Sequence, residues 1–431
     1  MRRKMTRARR GYLKTVQSQG LVYTHEDKHG PSPELYRYWR DDAYYEMTAA
    51  DIDVLERASA ALFEMFVEAG DWLLSEAGAA DLAKFQIPVS FMRAVIASWN
   101  EEPARGSVYG RFDLRFGGVG HPDPPMRIPK LYEFNADTPT SLVESLVQWN
   151  WFEDNRALGD TQWTNMYEDL VAAWTRNLAL IEEKLGRKPV VHFACSSADY
   201  SHEDEMNTLV LRDTCAAAGY ETRTIYLESI NHEPGRGYLD EHGDHIDVLF
   251  KLYPWEFLVR EPGADNLVED LARAGYGDDQ YTGGTIWIEA PYKLIWSTKA
   301  MLPVLWKLFK DDQERAQYLL PCWHEDEVPV LDLRTGFVRK PILAREGADI
   351  TLTYPGGETA HGEVQGYGDE GFIAQELAVP PMFHRDDERV DVHTVLGVWM
   401  VDGEPSGLAI RESSGPITDN FANFIPHVVK N

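Results

Sequence analysis

Three short hydrophobic segments between residues 189 and 253 restrict the fold more than any other feature of the sequence. They read PVVHFACS at 189–196, YETRTIYL at 220–227 and HIDVLFKLY at 245–253, and all three are typical of strands. A helical pattern, DEMNTLVLRDTCAAAG, separates the first two segments. Strands that alternate with a helix pair in parallel, because the chain must cross back over the sheet between them. The sequence therefore predicts a parallel α/β layer in the middle of the chain.

Upstream of these strands, apolar residues recur at the spacing of a helix. Residues 48–78 place apolar side chains at helical spacing behind a threonine that can cap the helix, and Gly78 is its expected end. Residues 137–156 and 162–185 predict two further helices. The first ten residues are strongly basic, and we interpret them as a disordered leader rather than a binding arm.

Downstream, the sequence indicates a second kind of sheet. After the helix-like KAMLPVLWKLF at 299–309, residues 328–431 contain six strand-like runs separated by glycine-rich turns. That order is typical of an antiparallel sheet with loops. We therefore expect an α/β protein with a helical N-terminal region, a central parallel α/β region and a mainly antiparallel C-terminal sheet. The expected regions span residues 1–105, 106–290 and 291–431.

Composition argues against several classes of protein. The 42 basic and 70 acidic residues give a formal net charge of −28, which disfavours sustained contact with a phosphate backbone, so nucleic acid is not an expected partner. No apolar run has the length that crossing a membrane requires, and no apolar segment follows the basic start. Cys195, Cys215 and Cys322 are too scattered for a disulfide framework, and we expect buried thiols in a cytoplasmic protein.

Two neighbouring segments carry polar side chains at strand spacing. In YGRFDLRFGG (109–118) and LYEFNADTPT (131–140), polar and aromatic residues alternate, so the polar ones share a strand face. If the two strands pair, Asp113, Glu133 and Asn135 converge as oxygen ligands that suit Mg²⁺. Arg111 would then supply a fixed cation for a carboxylate or phosphate. The alternative interpretation is that these are the solvated faces of two ordinary strands.

A third polar segment, RKPILAREGADITL at 339–352, has a lysine at a strand end followed by a short loop. Lys340 and a loop containing Glu346 and Gly347 can hold phosphates through a cation and backbone N–H groups. Lys299 begins a helix and can reach a phosphate from the other side, although a surface lysine is an equal alternative. The P-loop pattern is absent from the whole chain, so a P-loop ATPase is disfavoured.

Longer motifs resemble those of one family. They are YEFNADTPTSLVESLVQWNWFED at 132–154, WSTKAMLPVLWKLF at 296–309 and VRKPILAREGADI at 338–350, accompanied by shorter matches along nearly the full chain. On these motifs the sequence resembles the glutathionylspermidine synthetase family. The resemblance implies an ATP-grasp carbon–nitrogen ligase with permuted element order, in which metal-bearing strands precede the nucleotide-binding sheet. It also implies that ATP and two Mg²⁺ ions are the cofactors.

The resemblance further implies roles for individual residues on the substrate side. Arg111 matches an arginine that holds the acyl substrate and its phosphate, and Asp113, Glu133 and Asn135 match magnesium ligands. The residues that match the family's substrate contacts are the hydroxyl pair Thr138 and Thr140 and the acidic pair Glu203 and Asp204. The acidic pair would hold an amino group, although acidic residues are also common at a helix start.

A second set of matched residues is expected to bind the nucleotide. Its members come from two lysine-bearing segments, a loop, a hinge strand and a late arginine. They are Lys299, Lys340, Glu346, Gly347, Gln375, Glu376, Leu377 and Arg411. With Arg111, Arg411 is expected to act on the reacting phosphate.

The reaction implied by the resemblance begins when ATP phosphorylates a carboxylate, and an amine then attacks the acyl phosphate. The expected partners are a peptide-like or amino-acid-like carboxylate and an amine or polyamine. Leu252 and Phe257 stand where hydroxyls would contact glutathione, so we expect both to influence substrate choice. Because about 100 residues precede the first metal-bearing strand, no amidase activity is expected. Two alternatives stay open, a small-molecule kinase and a non-catalytic amine- or peptide-binding protein on the same fold.

Overall fold

Helices and strands both recur along the whole chain. The computed structural model describes residues 1–22, 38–101, 107–198, 201–277, 280–327, 336–385, 390–419 and 421–431. The α-helices of these residues are α1 Tyr12–Ser18, α2 Ala49–Leu73, α3 Ala79–Leu82, α4 Met92–Asn100, α5 Leu142–Asp154, α6 Met166–Leu185, α7 Glu203–Ala217, α8 Trp255–Leu258, α9 Ala264–Arg273, α10 Lys293–Trp296, α11 Met301–Phe309 and α12 Gln313–Ala316.

The strands of the described residues fall into five sheets. In chain order the first ten are β1 Arg2–Met5, β2 Ala43–Thr48, β3 Tyr109–Arg115, β4 Lys130–Asn135, β5 Val190–Cys195, β6 Glu221–Tyr226, β7 Asn231–Glu233, β8 Gly237–Leu239, β9 Val248–Leu252 and β10 Ile286–Ile288. The later ones are β11 Cys322–His324, β12 Phe337–Pro341, β13 Thr351–Thr353, β14 Thr359–His361, β15 Phe372–Glu376, β16 Met382–Arg385, β17 Val390–Val401, β18 Glu404–Ser413, β19 Asn423–Phe424 and β20 His427–Lys430.

The central sheet is parallel, as the three hydrophobic segments predict. Its strand order is β10-β9-β5-β6, and every neighbouring pair is parallel. Helix α7 connects β5 to β6, as the intervening helical pattern predicts. Val191 and Phe193 on β5 are fully buried, because the strand lies inside the sheet and is covered by helices.

A six-stranded antiparallel sheet contains the two segments with alternating polar residues. Its order is β19-β18-β17-β3-β4, with β16 also paired to β17. All of β3 is buried, and its Phe112 faces helix α2, where the Phe112 and Phe66 rings lie 5.6 Å apart. Side chains alternate along a strand, so the same burial directs Arg111 and Asp113 to the opposite face.

The C-terminal region forms an antiparallel sheet, but two of its predicted strands lie elsewhere. The sheet order is β11-β15-β12-β13-β14. Strands β17 and β18, which contain VLGVWMV and GLAIRE, instead join β3 and β4 in the six-stranded sheet. The predicted strand VPVLDL at 328–333 lies outside the described residues.

The first residues form a strand, which corrects the interpretation of a disordered leader. Strand β1 pairs with β2, and β2 pairs in parallel with β20, giving a three-stranded sheet. Arg3 Nε donates to Glu412 Oε1 at 2.6 Å, and the N-terminal ammonium lies 3.0 Å from Asp51 Oδ2. The basic residues are thus held by buried carboxylates, and the expected helical region also contains strands. Its division from the later regions stays a prediction.

Helix α2 begins where the sequence predicts and ends earlier. Thr48 Oγ1 accepts from the Asp51 N–H at 3.2 Å, and Asp51 Oδ2 accepts from the Thr48 N–H at 2.8 Å, which is a capping box. Such a cap stabilises a helix by about 1 kcal/mol. The helix ends at Leu73, before the expected Gly78.

The prediction of buried thiols is confirmed, since Cys195, Cys215 and Cys322 are all buried as thiols rather than disulfides. Burial raises the pKa of the Cys215 thiol to about 12, so this group is neutral at physiological pH. Of the helices in the described ranges, none has both the length and the apolar character needed to cross a membrane.

Candidate active site

One cavity brings together the metal, substrate and nucleotide candidates of the sequence analysis, but neither Leu252 nor Phe257. Its volume is about 370 Å³, and it lies between the β3-β4 edge of the six-stranded sheet and the β12-β15 sheet. The predicted residues that line it are Arg111, Asp113, Glu133, Asn135, Thr138, Thr140, Glu203, Asp204, Lys299, Lys340, Glu346, Gly347, Gln375, Glu376, Leu377 and Arg411.

Antiparallel pairing of β3 with β4 assembles the candidate metal ligands. The register places Arg111 opposite Asn135 and Asp113 opposite Glu133, so the four side chains share one face. Asn135 Nδ2 lies 3.3 Å from Asp113 Oδ2. The pairing on which the sequence interpretation depends is therefore present.

Four cations surround the two carboxylates. Arg111 Nε donates to Asp113 Oδ1 at 2.8 Å, and Arg411 Nη2 donates to Asp113 Oδ2 at 2.6 Å. Lys299 Nζ lies 3.0 Å from Glu133 Oε2. Lys340, from the other sheet, donates to Gln375 Oε1 at 2.7 Å. The four cations outnumber the two carboxylates, so this part of the cavity is positively charged although the chain as a whole is strongly negative. A positively charged wall suits a polyanion.

The pKa values follow from burial and from these partners. Burial opposes ionisation of Asp113, but the two neighbouring guanidiniums outweigh it and lower the carboxyl pKa. Burial acts likewise on Glu133, where the ammonium of Lys299 and that of Lys340 lower the pKa. Burial lowers the pKa of Lys340 itself to about 8, against the attraction of Glu133. Both carboxylates are therefore ionised at neutral pH, and Lys340 titrates close to it.

A buried ion pair fixes the loop that carries Thr138 and Thr140. Asp137 Oδ1 accepts from Lys251 Nζ at 2.7 Å, and its Oδ2 accepts from the Trp255 N–H at 2.8 Å. Both ionic side chains are at most 1 % exposed. Arg111 Nη1 donates to the backbone oxygen of Thr140. The loop between β4 and α5 is thereby held to the central parallel sheet and to the six-stranded sheet.

The acidic pair begins helix α7, which is fastened to α5. The Leu142 N–H donates to Asn207 Oδ1 at 2.8 Å, and Asn207 Nδ2 donates to the Glu203 backbone oxygen at 2.8 Å. These bonds bring the first turn of α7 to the same end of the cavity as Thr138 and Thr140. Glu203 and Asp204 both line the cavity, and we call the part of the wall that they form the anionic end.

The loop after Lys340 closes one side of the cavity. Arg345 Nη2 donates to Thr138 Oγ1 at 3.0 Å and lies 3.2 Å from Glu256 Oε1. Lys299 Nζ donates to the Ala344 oxygen at 2.8 Å, which joins the same loop to α11. Gly347 has a φ of +72°, and a Cβ there would lie 2.7 Å from Ile417 Cγ2. The tight contact explains why glycine occupies this position.

Several cavity residues were not predicted, and two predicted contacts are wrong. Neither Leu252 nor Phe257 lines the cavity; Glu256 does. Leu252 is buried at the end of β9, and the turn of α8 directs Glu256 rather than its neighbour toward the cavity. Arg345 and Tyr38 also line the wall. Arg345 directly precedes Glu346 and Gly347 in the predicted loop, whereas no candidate residue was predicted around Tyr38.

Comparison with known families accounts for this arrangement. The glutathionylspermidine synthase preATP-grasp family matches residues 3–430, which is almost the whole chain. The chain belongs to this family. Family membership makes it one of a group of ATP-dependent acid–amine ligases.

Individual relatives differ in how much of their length the chain covers. A Haemophilus influenzae protein with the provisional name acid–amine ligase is 28 % identical over 407 residues, which is 92 % of each chain. Trypanothione synthetase of Crithidia fasciculata is 27 % identical, over 78 % of this chain and 49 % of that one. The bifunctional glutathionylspermidine synthetase/amidase of Escherichia coli is 23 % identical, over 90 % of this chain and 59 % of that one. The chain thus spans about half to three-fifths of the two longer relatives.

A solved structure has a similar fold. It is a glutathione synthetase-like effector from Globodera pallida, which aligns with a TM-score of 0.53 over 97 % of this chain and 96 % of its own. The two sequences are 12 % identical, so the likeness concerns the fold alone. The mixed α/β architecture with several sheets is therefore shared with glutathione synthetase-like proteins.

Proposed function

We propose that the protein joins a small carboxylate to an amine, using ATP to convert the carboxylate to an acyl phosphate. The observation that carries the proposal is that one cavity is lined by two clusters of charged side chains. One is the cluster of two carboxylates and four cations, and the other is the acidic pair Glu203 and Asp204. A carboxylate is a poor electrophile, so it needs activation before an amine can displace its oxygen. Family membership supports the same reaction class.

In this proposal the nucleotide lies between β3-β4 and the β12-β15 sheet. Lys299, Lys340 and Arg411 hold its phosphates, and the strand end at Gln375–Leu377 contacts the adenine. The loop with Glu346 and Gly347 covers it. Because the strands with the metal ligands precede the nucleotide-binding sheet in the chain, we propose a permuted ATP-grasp order.

The donor set fits Mg²⁺. Asp113, Glu133 and Asn135 present two carboxylates and an amide oxygen on one face, and Mg²⁺ commonly takes one or two carboxylates together with phosphate oxygens. Among the described residues no group of three or more His, Cys, Asp or Glu is arranged to hold a metal, so an all-protein cage is not indicated. When bound, Mg²⁺ would neutralise charge on the phosphates. We propose that two Mg²⁺ ions bind.

The chain's own residues position the acid and stabilise its reaction. Arg111 is buried, its guanidinium stacks 5.4 Å from the Trp399 ring, and it is fixed by Asp113. A guanidinium held in this way can bind a carboxylate and then the acyl phosphate with two parallel hydrogen bonds. Thr138 and Thr140 offer hydroxyls beside it. A closed Arg345 loop excludes water, which would otherwise hydrolyse the acyl phosphate.

The anionic end suits a cationic amine. Glu203, Asp204 and Glu256 line the cavity, and Glu256 Oε2 is buried and accepts no hydrogen bond from any residue that the structure describes. A buried carboxylate oxygen without a donor is costly, and an ammonium group would supply one. We therefore propose an amine or polyamine as the second substrate and a peptide-like or amino-acid-like acid as the first.

The test is an activity screen that separates the two half-reactions. Purified protein with ATP and Mg²⁺ is offered glutathione, glycine-terminated dipeptides and free amino acids, each with hydroxylamine. An acyl phosphate reacts with hydroxylamine to give a hydroxamate, which is coloured with iron(III), and mass spectrometry identifies amides formed with ethylamine, putrescine or spermidine. Hydroxamate and amide together support the ligase. A stable phosphorylated product would instead identify a kinase, and no ADP release with any acid would reject catalysis.

A further inference from the structure

Amide formation leaves a proton that the cavity must remove. An amine arrives as an ammonium ion, which an anionic wall stabilises further, and an ammonium nitrogen has no electron pair for attack. The acidic residues that hold the amine therefore also oppose its reaction. A base near the anionic end would resolve this conflict if it were shielded from solvent before and during the reaction.

Glu144 lies behind that end of the cavity. It is on the first turn of α5 and is fully buried. The Tyr38 hydroxyl donates to Glu144 Oε1 at 2.6 Å, and Ser141 is hydrogen-bonded to the same phenol. Tyr38 and Ser141 both line the cavity, whereas Glu144 does not. The phenol is thus the link between the cavity and a carboxyl group inside the protein.

Burial and the charges around Glu144 place its pKa near neutral pH. Burial raises its pKa to about 7; Glu203 raises the pKa further, while the Tyr38 hydrogen bond, its own backbone N–H and Arg111 act in the opposite direction. Its second oxygen, Oε2, accepts no hydrogen bond from another of the described residues. Burial together with Glu144 and Glu203 raises the pKa of Tyr38, so the phenol stays protonated. Glu144 can therefore exchange a proton at neutral pH, and Tyr38 cannot hold a negative charge.

We propose that Tyr38 and Glu144 form a relay that takes the proton from the attacking amine. This inference rests on the proposed ligase function. The ammonium gives a proton to the Tyr38 oxygen as the phenol passes its own proton to Glu144, so the phenol remains neutral. The free amine then attacks the acyl carbon, the carbon–oxygen bond to phosphate breaks, and the second nitrogen proton leaves with the phosphate. One proton thus resides on Glu144 and one on hydrogen phosphate, and Glu144 returns its proton to solvent when the products leave.

Hydroxylamine distinguishes a loss of the relay from damage to the rest of the site. It is unprotonated at neutral pH and needs no base before it attacks, whereas ethylamine, putrescine and spermidine do. We expect Glu144→Gln to lower amide formation with these amines by about 100-fold, because a general base typically contributes that much or more. Hydroxamate formation with the same acid should change by less than about threefold. In the wild type, kcat/KM for the aliphatic amine should rise with pH and reach a plateau above about pH 7. The variant should lack this rising limb of the pH profile.

Two further variants keep the test decisive if the buried substitution impairs folding. Tyr38→Phe leaves the carboxyl in place and should produce the same selective loss. Glu153→Gln changes an exposed carboxylate on the same helix, which contacts Arg156, and should change neither reaction. Equal losses with hydroxylamine and aliphatic amines, an unchanged pH limb in Glu144→Gln, or hydroxamate formation without any aliphatic amide would each overturn the relay. Absence of hydroxamate in the wild type would instead reject the ligase function itself.

Discussion

Arg411 Nη2 donates a hydrogen bond of 2.6 Å to Asp113 Oδ2, although the two residues lie 298 positions apart in the chain. The contact arises because β17 lies between β18 and β3 in the six-stranded sheet. Arg111 occupies the other oxygen of the same carboxylate. Two guanidiniums that share one carboxylate are held at a fixed separation, which suits the binding of phosphate oxygens between them.

The first prediction concerns the carboxylate at the centre of this arrangement. Asp113→Asn keeps the shape of the side chain but removes the charge that we propose binds Mg²⁺ and that accepts hydrogen bonds from both arginines. We expect ATP turnover to fall by about 100-fold or more, the scale typical of losing one preorganised charge at a reacting phosphate. ADP release measured over a range of Mg²⁺ concentrations checks this. Asp391→Asn, which changes an exposed carboxylate beside His384, serves as control and should leave turnover unchanged.

The second prediction uses a glycine beneath Arg111. A Cβ on Gly397 would lie 2.7 Å from Arg111 Cδ, so the arginine would have to shift away from Trp399 toward the cavity that it lines. Gly397→Ala should therefore displace the guanidinium, lower hydroxamate formation by about tenfold or more and leave ATP affinity within about twofold. Calorimetry with a non-hydrolysable ATP analogue and the hydroxamate assay measure the two effects. Gly120→Ala, where a Cβ meets nothing within 4 Å, is the matched control. If ATP affinity fell and hydroxamate formation did not, Arg111 would belong to the nucleotide site.

The third prediction is a pH dependence of ATP binding. Burial lowers the pKa of Lys340 to about 8, so its ammonium is present below that pH and is lost above it. Because phosphates bind the charged form, the ATP analogue should bind about tenfold more weakly at pH 9 than at pH 7. Lys340→Arg keeps its charge throughout this range and should show a nearly flat affinity. An equally steep fall in the arginine variant would assign the titration to another group.

The fourth prediction addresses the buried pair under the hydroxyl loop. Lys251→Met leaves the Asp137 carboxylate buried without its cation, and we expect the free energy of unfolding to fall by about 3–5 kcal/mol. Lys251→Met combined with Asp137→Asn should recover part of this loss. Arg236→Met, in an exposed pair with Glu233, should cost less than about 1 kcal/mol. Denaturant unfolding of the four proteins measures these differences, and equal effects of Lys251→Met and Arg236→Met would contradict the prediction.

The polar face of β3 and β4 could be predicted because its geometry is local. Alternation along a strand places Arg111 beside Asp113 and Glu133 beside Asn135, and strands that follow one another in the chain commonly pair with each other. The parallel direction of β5, β6 and β9 could be predicted for a similar reason, because it depends on the local alternation of strand and helix segments. In both cases the spacing of residues in sequence determines the spacing in space.

The contacts that were missed depend on distant parts of the chain. Tyr38 reaches Glu144 across 106 positions, and the basic first residues are ordered because Glu412 neutralises Arg3. The strands β17 and β18 carry normal strand patterns, yet the sequence does not specify which sheet they enter. The error at Phe257 has a smaller cause, since a single helical turn decides which of two adjacent side chains faces the cavity.

The position of β3 between β4 and β17 has a consequence for biosynthesis. Gly397 on β17 is the partner of Asp113 on β3, so the ribosome adds more than 280 residues between the two halves of one strand pair. Until β17 has been made, one edge of β3 offers unpaired backbone groups, and Asp113 lacks Arg411. A nascent chain can complete the β5-β9 layer early, but the cationic part of its cavity forms only after translation has passed β18. If the proposed site is right, incomplete chains cannot consume ATP, and they expose a sheet edge that chaperones can recognise.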